Sequence, residues 1–167
     1  KRALRCDDPV LFLEHREILQ SKGPVPDDDY EIEFGKAAVV REGSHVTIVA
    51  LARMLHLALA ACDELEREGV SVEVVDPRTV SPLDTETILA SVHKTGRLLI
   101  VDEPPAPYGF SAEIAARVVA KGFDDLDAPI HRLTGAFCPT PYSPPLEAAV
   151  VPGQQEIVAA IRNLMKE

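Results

Sequence analysis

No apolar run in this chain approaches the roughly 18 residues a membrane-spanning helix needs, so a transmembrane reading is excluded and a soluble chain is expected. Basic side chains are in deficit: 17 Lys and Arg stand against 27 Asp and Glu, a formal charge of −10, and no Lys/Arg-rich run interrupts that balance. Nucleic acid is therefore not an expected partner. An acidic surface instead steers a basic protein module toward itself and repels phosphorylated substrates. Cysteine is scarce too. Cys6, Cys62 and Cys138 are odd in number and far apart, with no Cys-x-x-Cys pair and no secretory leader, which fits a reducing, cytoplasmic setting. Cys62 falls on the apolar face of a helix as a small core residue. The histidines form no zinc spacing, and no metal site is expected.

Familiar catalytic and cofactor motifs are missing as well. No Gly-x-Gly-x-x-Gly follows any strand. The first strand-to-helix turn reads Ala50-Leu51-Ala52-Arg53-Met54, and without glycines its backbone cannot approach a pyrophosphate closely. There is no Gly-x-x-x-x-Gly-Lys-Ser/Thr loop and no Gly-x-Ser-x-Gly elbow. Gly109 reads as turn geometry and Ser111 as a helix cap. On these grounds the chain holds no expected catalytic or cofactor-binding residue.

What is present is a regular α/β alternation. Val10–Leu13 reads as a strand with no partner nearby, taken as the last strand of a preceding, truncated domain; Ser21–Phe34, with Gly23, Pro24, Pro26 and three consecutive aspartates, reads as an interdomain linker. The expected organisation is thus residues 1–34 as that remnant plus linker, and 35–167 as one domain. Within it, strands are expected at Ala37–Arg41, Val46–Leu51, Val70–Val75, Arg97–Val101 and Ala128–Leu133. The short Glu42-Gly43-Ser44 connection makes the first two antiparallel. Helices are expected over Met54–Glu68, from a Ser81-Pro82-Leu83-Asp84 start to about His93, from near Ser111 with a stripe of Ile114, Ala115, Val118, Val119 and Phe123, and over Gln154–Met165. The result is a three-layer α/β/α domain.

Two strands end in a carboxylate and a proline, Val75-Asp76-Pro77-Arg78 and Val101-Asp102-Glu103-Pro104. The run Leu98–Val101 lacks periodicity, as a strand buried on both faces does. Asp76, Arg78, Asp102 and Glu103 then stand at the carboxyl edge, where open α/β sheets meet ligands and partners. Asp102 and Glu103, being adjacent, point to opposite sides of the sheet and do not make one acid/base site. Interface or structural duty is the expected role of all four. The proline-rich stretch Ala136–Pro145 displays Phe137 and Tyr142 on a stiff segment suited to packing across a subunit boundary.

In the stretches Asp8–His15, Val72–Asp84, Lys94–Glu103, Gly109–Ile114, Thr140-Pro141-Tyr142 and Pro144–Glu147 the chain resembles the C-terminal region of the β subunit of thiamine-diphosphate-dependent E1 components, which serve 2-oxo acid and acetoin dehydrogenase complexes. The Asp-Pro-Arg-Thr and Val-Asp-Glu forms look nearest to acetoin-type subunits. The resemblance implies a transketolase C-terminal-type domain: a five-stranded mixed sheet, order 1-3-2-4-5, with strand 1 antiparallel. It implies that thiamine diphosphate and its divalent metal lie between the E1 α subunit and the pyrimidine-binding domain of β, outside this chain, which alone would be inactive. The parent reaction would be oxidative decarboxylation of a 2-oxo acid, or cleavage of acetoin, with transfer to a lipoyl arm.

The implied partners are the α subunit, a second β subunit in an α2β2 heterotetramer, and the small basic peripheral-subunit-binding domain of lipoyl E2. Asp127, before Ala128-Pro129, and Glu167 occupy the positions implied for E2 docking. Cys6 and Asp8 stand where relatives can bind potassium, as a remnant of that site. Two competing readings remain, a self-contained small-ligand-binding α/β domain using Asp76, Arg78 and Asp102, and part of a transketolase-like enzyme, which would need a basic phosphate pocket.

Overall fold

The computed structural model describes all 167 residues. Strands β1 (Ala38–Arg41), β2 (Val46–Ala50), β3 (Val72–Asp76), β4 (Leu98–Pro105) and β5 (His131–Gly135) form one sheet in the order β1-β3-β2-β4-β5. β2, β3, β4 and β5 are parallel, and β1 alone runs antiparallel, with Ala38 opposite Asp76. Leu98, Leu99, Ile100 and Val101 are all buried, as a central strand covered on both faces requires.

Helices α2 (Ala52–Glu66) and α6 (Gln154–Leu164) cover one face, joined by a core in which Met54, Ala58, Cys62 and Leu65 meet Ile157, Ile161 and Leu164. Burial pushes the Cys62 thiol up to about 11, so it remains a protonated, inert core residue. The opposite face carries α3 (Thr85–Thr95) and α4 (Phe110–Gly122), whose Ile88, Val92, Ile114 and Val118 pack on Val49, Val75 and Ile100. This is the three-layer α/β/α domain with the strand order and antiparallel first strand that the resemblance implies.

β1 runs opposite to β2, as the short connection suggested, and pairs with β3, which lies between them as the implied order 1-3-2-4-5 has it. The Glu42-Gly43-Ser44 link therefore climbs over the amino end of β3, where a Cβ on Gly43 would come within 2.1 Å of the Val72 carbonyl carbon. Only glycine fits that crossing.

Several boundaries also differ from the expected ones. Ser81 is not a helix cap: the Ser81-Pro82 bond is cis, and α3 begins at Asp84, whose carboxylate accepts the Thr87 amide at 3.1 Å and the Ala37 amide at 2.9 Å. Those bonds hold the Asp84 carboxyl below the usual carboxylate range against the opposing effect of burial. The cap thereby fastens the entry of β1 to α3. β4 runs on through Pro104 and Pro105, since an irregularity between Asp102 and Pro105 relieves the prolines of ladder donation. β5 starts at His131 rather than Ala128. Val119 and Phe123 are exposed, so the buried stripe of α4 is narrower than its apolar spacing.

Residues 1–34 form no part of the sheet. Val10–Leu13 pairs with nothing and is not a strand here; Leu11, Phe12 and Leu13 are exposed. The segment carries a short helix α1 (Arg2–Arg5) and one 3-10 turn (Arg16–Ile18), and folds back on itself through Lys1 and Arg5 to Asp29 and Arg2 and Arg5 to Glu31. A further helix that the proline-rich reading missed, α5 (Pro144–Val150), follows the Ala136–Ser143 stretch; its two prolines occupy the first turn, where a missing donor costs nothing.

Candidate functional site

The carboxyl edge of the sheet is built from three strand exits with unusual backbones. Ala52 follows β2, Arg78 follows β3 and Tyr108 follows β4, and these three are the non-glycine residues with positive φ, at 48°, 58° and 59°. Each such residue costs of order 1 kcal/mol, and such strain is held where surrounding structure or a bound partner fixes it. Asp76 helps: its carboxylate accepts the Arg78 amide at 2.9 Å, closing a turn around Pro77. The Arg78 side chain is exposed and makes no hydrogen bond or ion pair, so the turn is closed by Asp76 and not by the guanidinium.

Asp102 and Glu103 do diverge. Asp102 is buried, and its carboxylate accepts the Ser111 amide at 3.0 Å in the first turn of α4. Ser111 is inside the helix; Gly109 is the cap residue, and a Cβ there would sit 2.9 Å from the Pro105 carbonyl oxygen. The Ser111 hydroxyl in turn accepts from Arg132 on β5 at 3.1 and 3.2 Å, and Arg132 also donates to the Ala106 carbonyl. Glu103 points elsewhere and pairs with His15 at 2.8 Å.

This network answers what a diphosphate would need. The positive end of α4 already holds the Asp102 carboxylate, so the place where an anion would be cradled is filled by the chain itself. No three His, Cys, Asp or Glu side chains gather as a metal site. The start of α4 therefore does not fit a diphosphate, and no chemical step is assigned to the residues around it.

After the same strand exits, large apolar side chains stand in solvent. Tyr142 is 99% and Phe137 81% exposed, joined by Tyr108 and by Leu146 on α5.

The amino end presents a different arrangement. Glu73, 2% exposed in the middle of the sheet, accepts the Gly43 amide at 3.2 Å and an ion pair from Lys94 at the end of α3, which also reaches Glu42. Burial pushes the Glu73 carboxyl up, but the bonds from Lys94, Ser91 and Gly43 outweigh it and leave it below its ordinary value. Asp127 lies nearby, its amide donating to the Gly96 carbonyl at 2.7 Å. A Cβ on Gly96 would come within 2.2 Å of the Asp127 carboxylate. Glu167 bonds His131, the first residue of β5, at 3.1 Å. Asp127 and Glu167 are thus brought to the same end of β5, beside a groove of about 350 Å³ lined by Ile130, His131, Leu133, Ala160 and Asn163.

Cys6 and Asp8 lie together in the N-terminal segment, the Cys6 thiol 3.3 Å from the Asp8 carbonyl oxygen, away from the residues above. Sequence reasoning passed over Arg132, Lys94, His15 and Arg53 as functional candidates. A signal existed for one group only: Glu73 is a lone carboxylate inside an apolar strand, and such a residue requires a cation and a donor close by.

The sequence matches the family model described as transketolase, C-terminal domain, over residues 35–157. It is 43% identical over 165 residues to the acetoin:2,6-dichlorophenolindophenol oxidoreductase subunit beta of Bacillus subtilis (strain 168), covering 99% of this chain and 48% of that one. The pyruvate dehydrogenase E1 component subunit beta-2, mitochondrial, of Oryza sativa subsp. japonica is 42% identical over 167 residues, covering 98% of this chain and 44% of the relative. A solved structure titled "Split gene transketolase, inactive beta4 tetramer" superposes with a TM-score of 0.70 at 27% identity, covering 86% of this chain and 46% of that one. The chain spans about half the length of the curated relatives it matches. With the sheet order, the antiparallel first strand and the model match in agreement, the chain belongs to the transketolase C-terminal domain family.

Proposed function

We propose that the chain is the C-terminal part of the β subunit of a thiamine-diphosphate-dependent E1 component, acting on a 2-oxo acid or on acetoin, and that its work is assembly rather than chemistry. The observation that carries this reading is the 43% identity running through 99% of the chain to a subunit beta of that kind. In the complete enzyme the cofactor and its divalent metal would be bound by other parts, and this chain alone would be inactive. The strained, aromatic carboxyl edge, with Asp76, Arg78, Phe137 and Tyr142, suits packing against the α subunit and a second β subunit in an α2β2 arrangement. The acidic end of β5, with Asp127 and Glu167, suits the basic peripheral-subunit-binding domain of E2. A cytoplasmic complex is the reading for a bacterial setting; the rice relative is named mitochondrial.

The docking half is tested by titrating the chain with the basic domain of E2 at low salt. Asp127→Lys is expected to weaken binding about tenfold and to flatten its salt dependence. An unchanged affinity removes Asp127 from the interface. The assembly half is tested by whether the β subunit carrying Tyr142→Ser and Phe137→Ser still co-purifies with α; retention at parental stoichiometry rejects it.

A further inference from the structure

The crevice between β2 and β4 at the carboxyl edge is closed by the chain itself. β2 hands the backbone to α2 on one face and β4 hands it to α4 on the other, so the two strands diverge at the point where an open α/β sheet takes its ligand. Two side chains flank that point, Arg53 in the first turn of α2 and Glu103 on the extension of β4. The start of α2 has no capping side chain of its own, its cap position being Leu51. The anion it favours comes from far away in sequence.

The 3-10 turn Arg16–Ile18 packs on α2 here and meets both flanking residues. The Glu17 carboxylate lies 2.9 Å from Arg53 Nε, placing a negative charge at the positive end of α2. His15 Nε2 lies 2.8 Å from Glu103 Oε2, and His15 Nδ1 lies 3.2 Å from the Glu17 amide. An amide can only donate, so Nδ1 accepts; the network therefore assigns the ring proton to Nε2, which donates to Glu103. One neutral imidazole caps its own turn and fastens that turn to β4. The contact is specific in charge and in donor order, and it comes from a segment whose neighbours, Leu11–Glu14 and Leu19–Tyr30, are exposed.

We propose that this crevice is a receptor for the chain's own His15–Ile18 turn, an intramolecular latch that fixes the linker over the switch point and shuts it to other carboxylate ligands. Family membership does not require the latch, and the latch does not require E2 docking.

The test is hydrogen exchange of residues 15–19 in the full chain, read by mass spectrometry, with thermal unfolding as a check that the domain is intact. Glu103→Ala and Glu17→Lys are each expected to speed exchange there about tenfold while leaving the sheet amides unchanged. Adding Arg53→Glu to Glu17→Lys restores the opposite-charge pair and is expected to bring exchange back toward the parent. Parental exchange in both single variants overturns the latch. Acceleration that the charge swap fails to reverse overturns the Glu17–Arg53 half of it.

Discussion

At the amino end of the sheet, Gly43 crosses β3 with no room for a side chain, and the buried Glu73 is closed in by Lys94 and the Gly43 amide. At the carboxyl end, Ala52, Arg78 and Tyr108 hold positive φ without a glycine, and Tyr108, Phe137 and Tyr142 stand in solvent. The first end is tight where a crossing demands it and satisfies its one buried charge. The second stores backbone strain and leaves apolar surface uncovered. On the proposed function the complete end serves stability and the incomplete end serves association, so substitutions at the two should read out in different experiments.

The largest expected effect tests the tight end. Gly43→Ala drives a Cβ into the β3 backbone, which cannot yield as a side chain would, and should cost at least ~3 kcal/mol in urea unfolding or prevent folding. A cost under about 1 kcal/mol would mean that the crossing is slack and the contrast between the ends is false.

Lys94→Met should lower stability measurably in urea unfolding at neutral pH, by less than for a fully enclosed pair because the lysine is half in solvent. The pH dependence follows from the direction of the Glu73 shift. Its folded value lies below the unfolded one, so the parent has this stabilisation in full above about pH 5 and loses it as pH falls through the folded value. Without the ammonium, only the Gly43 and Ser91 bonds oppose burial, so the carboxyl lies higher than in the parent and the variant loses less stability as the group protonates. The gap between parent and variant should narrow on going from pH 7 to pH 4; a gap that widens would show that Glu73 does not depend on Lys94.

Arg78→Gly acts in the opposite sense. It relieves a positive φ at a residue whose side chain holds nothing, and should stabilise the chain by roughly 0.5 kcal/mol, the relief being partly offset by glycine's freedom when unfolded. A loss of stability would mean that the guanidinium is engaged after all.

The sheet was legible in the sequence because its period is short and its central strand is apolar on both faces, as at Leu98–Val101. The reversed direction of β1 was legible in the short Glu42–Ser44 link, and its neighbour β3 in the strand order that the resemblance implies. The link alone names no neighbour, because the crossing over β3 depends on Gly43 and Glu73 together. The same limit applied to the carboxyl edge. Asp102 and Glu103 were placed correctly on opposite sides by strand alternation, but their partners Ser111 and His15 depend on where a helix and a linker turn dock. Ser81 failed as a cap because Asp84, three residues on, offers two oxygens and takes three donors. The helix α5 was hidden by its own prolines.

The smallest effect on the chain itself should come from the exposed aromatics, and this sharpens the comparison most. Tyr108→Ser, Phe137→Ser and Tyr142→Ser each remove a ring that buries almost nothing in the isolated chain, so unfolding free energy should move by less than about 0.5 kcal/mol. The same rings, covered by a partner, would each be worth about 1 kcal/mol or more, and together a loss of roughly 100-fold or more in association with the remaining subunits. The pair of measurements separates the ends in a way neither does alone, since Gly43→Ala should injure the fold before any assembly is attempted. If the three serine substitutions instead lower the melting temperature of the isolated chain, the rings pack on their own domain, and the strained exits Ala52, Arg78 and Tyr108 become internal supports rather than one side of a subunit contact.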